Sequence, residues 1–295
     1  MNSAKSQIDR LALGTVQFGL KYGVANRGEK VTLENAKQIL RHACAVGINT
    51  IDTAIAYGDS EQRLGEIGVK GLQVVTKLPS VPKNCGDIQK WIYASVTESL
   101  ARLNIERLAG LLLHTPLELL TPRGGDLYAG LQNLKQDGIV DKIGISIYDP
   151  AELDAVCNRY NIDLVQAPFH ILDRRLIHSG WMDRLERQGT ELHVRSVFLQ
   201  GLLLMNASDR PLYFSKWESL WNKWDQWLKT NNITPLAACL GYALSFPQIK
   251  KIVVGVDLLE HLTAIIDLIN QNEFHWPNNI SCDDIRLINP SQWVG

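Results

Sequence analysis

Short apolar runs alternate with amphipathic stretches from one end of the chain to the other. The runs are Leu11–Thr15, Ile48–Asp52, Leu72–Lys77, Leu108–His114, Lys142–Ser146, Asp163–Ala167, Glu191–Val197 and Lys250–Val254. Several are apolar without alternation, as in L-A-G-L-L-L from Leu108 and K-I-V-V-G from Lys251. Such strands need cover on both faces, which a parallel sheet flanked by helices provides. The segments between them have helical period. Leu33, Ala36, Ile39, Leu40 and Ala43 share one face of the first helix, and Ile88, Ile92, Val96, Leu100 and Leu103 one face of the third. Thr32 stands where a helix would begin, and Gly47 and Gly138 where helices would end.

Eight strands, each followed by a helix, predict an α/β fold that closes most economically as a (β/α)8 TIM barrel, a single domain over residues 1–295. An open doubly wound sheet would need a glycine fingerprint after its first strand. The run G-T-V-Q-F-G-L-K-Y-G from Gly14 lacks that spacing and is expected to run into no helix. The longest irregular stretch, Gln200–Ser215, follows strand seven, and loops of that length are often lids. After it, Trp217, Leu220, Trp221, Trp224, Trp227 and Leu228 form a stripe expected to pack on the barrel, with a subunit contact or substrate wall as the alternatives.

Composition narrows the partners. The chain has 295 residues, 45% hydrophobic and 21% charged, with formal net charge −1 and no basic stripe or acidic tail. Neither nucleic acid nor a membrane surface is an expected partner. Cys44, Cys85, Cys157, Cys239 and Cys282 are scattered, without C-x-x-C spacing or a histidine cluster, so reduced thiols and no metal site are expected. The opening M-N-S-A-K-S-Q-I-D-R is too polar for a signal peptide, and no apolar run approaches the ~18 residues of a membrane span. These features predict a soluble, cytoplasmic protein.

In such barrels chemistry belongs to the C-terminal ends of the strands. Asp52 ends strand two, Tyr57 lies in its loop, Lys77 ends strand three and His114 ends strand four. Neighbouring strands stand ~5 Å apart, so these side chains can converge on one rim of the mouth. Tyrosine is a poor acid near neutrality, with an unperturbed pKa of ~10. A nearby Lys77 ammonium would stabilise the phenolate, Asp52 would hold Lys77 charged, and His114 would donate a second hydrogen bond to a carbonyl oxygen. Singly, a buried lysine at a strand end is usually an ion-pair partner and a lone histidine a satisfied hydrogen-bonder. The set, at corresponding strand ends, is what points to catalysis.

The run I-D-T-A-I-A-Y-G-D-S-E from Ile51, with L-G following at Leu64, resembles the strand-two signature of the aldo/keto reductases. V-V-T-K from Val74 and L-L-L-H from Leu111 resemble their strands three and four, and the likeness covers almost the whole chain. The resemblance implies reversible carbonyl–alcohol oxidoreduction with NADP(H) or NAD(H) lying across the mouth. It makes Tyr57 the general acid/base and Asp52, Lys77 and His114 its partners. It also implies cofactor contacts from Gly14, Thr15, Val16 and Asp52, and from Ser146 and Gln166 on the nicotinamide carboxamide. Gly201 and Gly255 join that set. Ile147 stands where the family's asparagine usually follows the serine.

Two departures stand out. Arg195 occupies the place of the aromatic residue that the family stacks on the nicotinamide. A planar guanidinium can stack likewise, reach an anionic group on the substrate, or pair with a rim carboxylate. After strand eight, where NADPH-specific members carry bases for the 2′-phosphate, this chain has Asp257 and His261, with Ala264 and Ile265 in place of the usual Glu-Asn pair. Lys216 or Arg210, from the loop side, are the bases left to compensate. Tyr22, Ile55, His170 and the Gln200–Ser215 loop are candidate substrate contacts for a small carbonyl or sugar. R-S-V-F-L-Q-G-L-L from Arg195 and V-Q-F-G-L-K-Y-G from Val16 resemble bacterial family members associated with surface polysaccharides, which favours a sugar-derived substrate. A cofactor-binding regulatory subunit, or redox-neutral sugar chemistry with a recycled cofactor, stays open as an alternative.

Overall fold

A computed structural model describes residues 7–25, 30–269, 276–277 and 279–293. Each expected apolar run coincides with a strand to within a few residues. In chain order the first half comprises β1 (Leu11–Gly14), α1 (Leu33–Val46), β2 (Thr50–Asp52), α2 (Ser60–Ile67), β3 (Gln73–Leu78), α3 (Ile88–Leu103), β4 (Gly110–Leu113) and α4 (Gly124–Gln136). The second half adds β5 (Ile143–Ser146), α5 (Ala151–Val156), β6 (Leu164–Pro168), α6 (Trp181–Gln188) and β7 (Glu191–Arg195). It ends with α7 (Glu218–Asn231), α8 (Pro235–Leu244), β8 (Ile249–Gly255) and α9 (Leu259–Leu268). Every neighbouring pair is parallel, and β1 pairs with β8 through Leu13 opposite Val254 and Gly14 opposite Gly255, which closes the barrel.

The pattern differs from the expectation at several points, among them a short extra helix, Arg175–His178, between β6 and α6. Two helices, not one, separate β7 from β8. The segment after β1, expected to be free of helix, makes one helical turn at Val16–Gly19 before extending. The opening residues read for a signal peptide lie outside the described residues as far as Ser6. Among the described residues, no helix is long and apolar enough to cross a membrane.

Local chemistry explains the helix ends. Thr32 Oγ1 accepts from the Asn35 backbone N–H at 3.2 Å, and Gly47 ends α1 at φ 103°, a left-handed conformation suited to glycine. On α3, Ile88, Ile92, Val96 and Leu103 are buried as their period predicts, but Ser99 is buried with them and Leu100 only partly. The cause is Glu61 of α2, which is 2% exposed and takes hydrogen bonds from Ser99 Oγ and Thr76 Oγ1, both at 2.7 Å. A buried carboxylate needs donors, and Ser99 turns inward to supply one. Trp221, Trp224 and Leu228 of α7 are buried in the main core, so the tryptophan stripe packs on the barrel.

Inside the strands, Val75, Leu112 and Leu164 form a buried cluster of their own, apart from the larger core between strands and helices. Gly144 makes room for it, since a Cβ there would lie 2.5 Å from Leu112 Cδ2. This apolar plug fixes where the chemistry sits. Residues two apart on a strand share a face. Lys77, His114 and Gln166 each follow a plug residue by that step, and they form a polar layer above it at the C-terminal end.

Candidate active site

In that layer, Lys77 Nζ donates to Asp52 Oδ1 at 2.7 Å and to the Thr53 carbonyl at 2.9 Å. Gln166 Nε2 donates to Asp52 Oδ2 at 2.6 Å, so both carboxylate oxygens are engaged. Lys77 is fully buried, and burial alone pushes its ammonium pKa down. The charge and hydrogen bond of Asp52, with Tyr57 adding to them, outweigh burial and carry the net shift upward. The lysine is therefore held as a cation.

The Lys77 ammonium lies 5.1 Å from the centre of the Tyr57 ring. His114 meets that ring edge-on, with centroids 6.0 Å apart and planes at 72°. Burial, then the charges of Lys77 and Arg195, push the His114 pKa down to about 4. Its imidazole is thus neutral near pH 7 and able to donate one hydrogen bond. Tyr57 is fixed through its backbone: its N–H donates to Ala54 O and its carbonyl accepts from the Ser60 N–H, both at 3.0 Å. Beneath the loop, the buried hydroxyls of Thr15, Thr53 and Ser60 interlock at 3.0–3.1 Å, and Thr15 Oγ1 donates to the Asp52 carbonyl at 2.9 Å. The four expected residues are brought together.

A cavity of about 440 Å³ meets this site at Asp52 and Tyr57, while Lys77, His114 and Gln166 are not among its lining residues. Its lining includes Thr15, Val16, Tyr22, Asp52, Tyr57 and Arg195, together with Gly14, Gly201, Gly255, Asp257 and His261. Ser146 and Gln166 lie buried on the neighbouring strands β5 and β6, their side chains joined by a long bond from Ser146 Oγ to Gln166 Oε1 at 3.5 Å. Ile147, in the place of the family's asparagine, is buried.

Two expected substrate contacts lie outside the cavity lining. His170 is fully buried and does not line the cavity. A bridge from His170 to Asp173 folds the chain back after β6, and Nε2 lies 3.5 Å from the Ile288 carbonyl. Ile55 does not line the cavity either, and packs against the main core beside β3, where its N–H donates to the Lys77 carbonyl at 3.2 Å. Arg195 makes no ion pair with a described carboxylate. Its Nη2 donates to Ile147 O at 3.0 Å, its Nη1 to Ser196 Oγ at 3.4 Å, and its guanidinium lies 4.5 Å over the Tyr148 ring.

Other lining residues escaped the sequence reading. Gln17 faces Gly255 so closely that a Cβ on the glycine would sit 2.5 Å from Gln17 Nε2, and Gln17 Oε1 is buried without a partner. A polar residue inside the apolar run V-Q-F was its signal. After β7, Ser196, Leu199, Gln200 and Gly201 all have positive φ, between 49° and 88°. Three of them are not glycine, which stores strain in this loop. The loop reaches the β1 side of the mouth: Gln200 Nε2 donates to Tyr22 Oη at 3.1 Å and the Ala25 N–H to Gln200 O at 3.5 Å. The rest of the expected irregular stretch winds into short helical turns at Ala207–Asp209 and Leu212–Trp217.

The family model of the Aldo/keto reductase family matches residues 10–277, and the chain belongs to that family. It is 27% identical over 218 residues to an L-glyceraldehyde 3-phosphate reductase of Escherichia coli K12. That match takes in 65% of this chain and 60% of the relative, so the chain spans about three-fifths of that relative's length. It is 25% identical to a D-threo-aldose 1-dehydrogenase of a Pseudomonas species, over 83% of this chain and 87% of the relative. In fold it is similar to the aldo-keto reductase AKR11C1 of Bacillus halodurans, with TM-score 0.72 and 21% identity over 90% of this chain and 88% of that one.

Proposed function

We propose that this chain interconverts a carbonyl and its alcohol, using NADPH or NADH and Tyr57 as general acid/base. The observation that carries this reading is the Asp52–Lys77 pair, a buried cation held 5.1 Å from the ring centre of a cavity-lining tyrosine. A buried ammonium favours the phenolate that remains once the proton has left. Tyr57 donates that proton to the carbonyl oxygen as it becomes an alkoxide, and takes it back in the reverse direction. His114, neutral, donates a hydrogen bond to the same oxygen and fixes the substrate's approach. Asp52 keeps Lys77 charged and in place, and Gln166 occupies the other oxygen of Asp52.

The cavity suits a nicotinamide dinucleotide. Gln17 Oε1 is a buried acceptor with no partner, and the stretched Ser146–Gln166 bond leaves both groups ready for a better one. Thr15, Val16, Gln17, Gly201, Gly255, Asp257 and His261 would hold the cofactor, with Ser146 and Gln166 on its carboxamide. When bound in reduced form, it supplies the hydride. Two relatives named for glyceraldehyde 3-phosphate and for an aldose support a small, sugar-like carbonyl. We take residues 1–295 as one domain, acting without nucleic acid or membrane, in the cytoplasm. The test is a panel of aldehydes, ketones and sugars assayed with NADPH and NADH. Oxidation of either cofactor that depends on the carbonyl supports the reading, and none across the panel contradicts it.

A further inference from the structure

Arg195 is the one lysine or arginine among the described residues that line the cavity. It ends β7 and reaches the site from the strained loop side. Its partners are all uncharged: a carbonyl, a hydroxyl and an aromatic face. It makes no ion pair with a described carboxylate. Other half-buried arginines show what is missing. Arg175 pairs with Asp149 at 2.7 Å, and Arg210 with Asp225 at 2.8 Å. Arg10 lacks an acid too, but three backbone carbonyls and Gln7 take up its donors. A guanidinium has five N–H donors. Arg195 donates two of its own to protein acceptors, and none of its nitrogens is both buried and unpartnered. Its remaining donors are therefore not sealed off, on a residue that lines the cavity.

Orientation says what they would take. One face of the guanidinium lies over Tyr148, which leaves the in-plane N–H groups not taken by Ile147 and Ser196 as its recognition element. Adjacent in-plane N–H groups of a guanidinium suit the oxygens of an anionic group. Tyr22 adds a donor alongside. Its Oη accepts from Gln200, its own O–H is free to donate, and burial pushes its pKa up, so the phenol stays protonated. The subsite adjoins the reacting centre: Arg195, Tyr22 and Tyr57 line one cavity, and the charge of Arg195 is felt at both Tyr22 and His114.

We propose that Arg195 and Tyr22 form an anion-binding subsite, so that the carbonyl substrate carries a carboxylate or phosphate beyond its reacting carbon. The proposal rests on the oxidoreductase reading above and names the substrate class for that site. The cofactor's own pyrophosphate shares the same chemistry, and the test separates the two.

Arg195→Met and Arg195→Lys are compared with the wild type on matched pairs: glyceraldehyde 3-phosphate against glyceraldehyde, and succinic semialdehyde against butyraldehyde. The wild type should favour the charged member of each pair, through KM. In Arg195→Met the charged-to-neutral ratio of kcat/KM should fall about 10- to 100-fold, the worth of charge-assisted hydrogen bonds. Arg195→Lys should restore part of it. Calorimetry with glycerol 3-phosphate and with glycerol reads the subsite without turnover, and only the phosphate ester should bind and be lost in Arg195→Met. NADPH affinity is measured by fluorescence in each variant. An unchanged ratio overturns the proposal. So does a fall in NADPH affinity that lowers both members of a pair equally, because Arg195 then holds the pyrophosphate. If no carbonyl is reduced but glycerol 3-phosphate still binds through Arg195, the subsite stands and the oxidoreductase reading fails.

Discussion

Gly19 lies so close to Tyr57 that a Cβ on the glycine would sit 1.7 Å from the Tyr57 carbonyl oxygen. The obstacle is backbone, which cannot swing aside, so any side chain at residue 19 displaces the loop that carries the tyrosine. Gly19→Ala should cost about 1–3 kcal/mol in stability, as overpacking does, and should lower turnover by up to about 10²-fold through misplacement of Tyr57. Gly125 of α4 is the control, since a Cβ there meets nothing within 4 Å. Gly125→Ala should leave turnover at the wild-type level and hold or raise the melting temperature. Equal effects from both substitutions would show that the Gly19 contact does not position Tyr57.

His114 should stay neutral through the physiological range. Its pKa is lowered from 6.5 to about 4 by burial first and by Lys77 and Arg195 after it. In the unfolded chain it takes up a proton near its ordinary value, while the folded chain resists. Stability should therefore fall as pH drops from about 6.5 toward 4, with no further loss from this group below that. His114→Gln should remove that part of the slope. In Arg195→Met the His114 titration should move upward, by less than its full displacement. Histidine NMR titration reads both, and a His114 inflection near 6.5 would contradict the geometry.

Cofactor choice should be less biased toward NADPH than a basic adenosine end would make it. Among the described residues, no lysine or arginine lines the cavity near Gly255, Asp257 and His261. The two bases that might have compensated are engaged elsewhere. Arg210 pairs with Asp225 and lies 4.7 Å over Trp221, and Lys216 lies 4.7 Å over Tyr213. One charge pair at ~4 Å is worth about 4 kcal/mol at an effective dielectric of ~20, roughly a thousandfold in affinity. Without it, the dissociation constants of NADPH and NADH should lie within about tenfold of each other. Fluorescence titration decides it, and a thousandfold preference for NADPH would show that the 2′-phosphate meets a base.

The barrel was legible because its signal is local. Runs such as L-A-G-L-L-L carry their both-sided burial in the run itself, and the step from Val75 to Lys77 or Leu112 to His114 marks where plug gives way to polar layer. Asp52, Tyr57, Lys77 and His114 could be placed because strand ends define the mouth. What the pattern does not carry depends on contacts remote in the chain. His170 sits at the right strand end, but a backbone bridge turns it under Ile288, 118 residues away. The closeness of Gly19 to Tyr57 and the uncharged surroundings of Arg195 exist only once the strands have closed. Periodicity carries no such information.

The central claim is that Tyr57 moves the proton, and Tyr57→Phe tests it most directly. The substitution removes one oxygen and keeps the ring beside Lys77 and His114. Turnover of a responsive carbonyl is measured in the wild type and the variant at saturating reduced cofactor, with cofactor affinity determined separately by titration. In Tyr57→Phe, kcat should fall by about 10²–10⁴, the usual contribution of general acid catalysis, with the cofactor dissociation constant nearly unchanged. Normal turnover by Tyr57→Phe would show that Tyr57 does not move the proton.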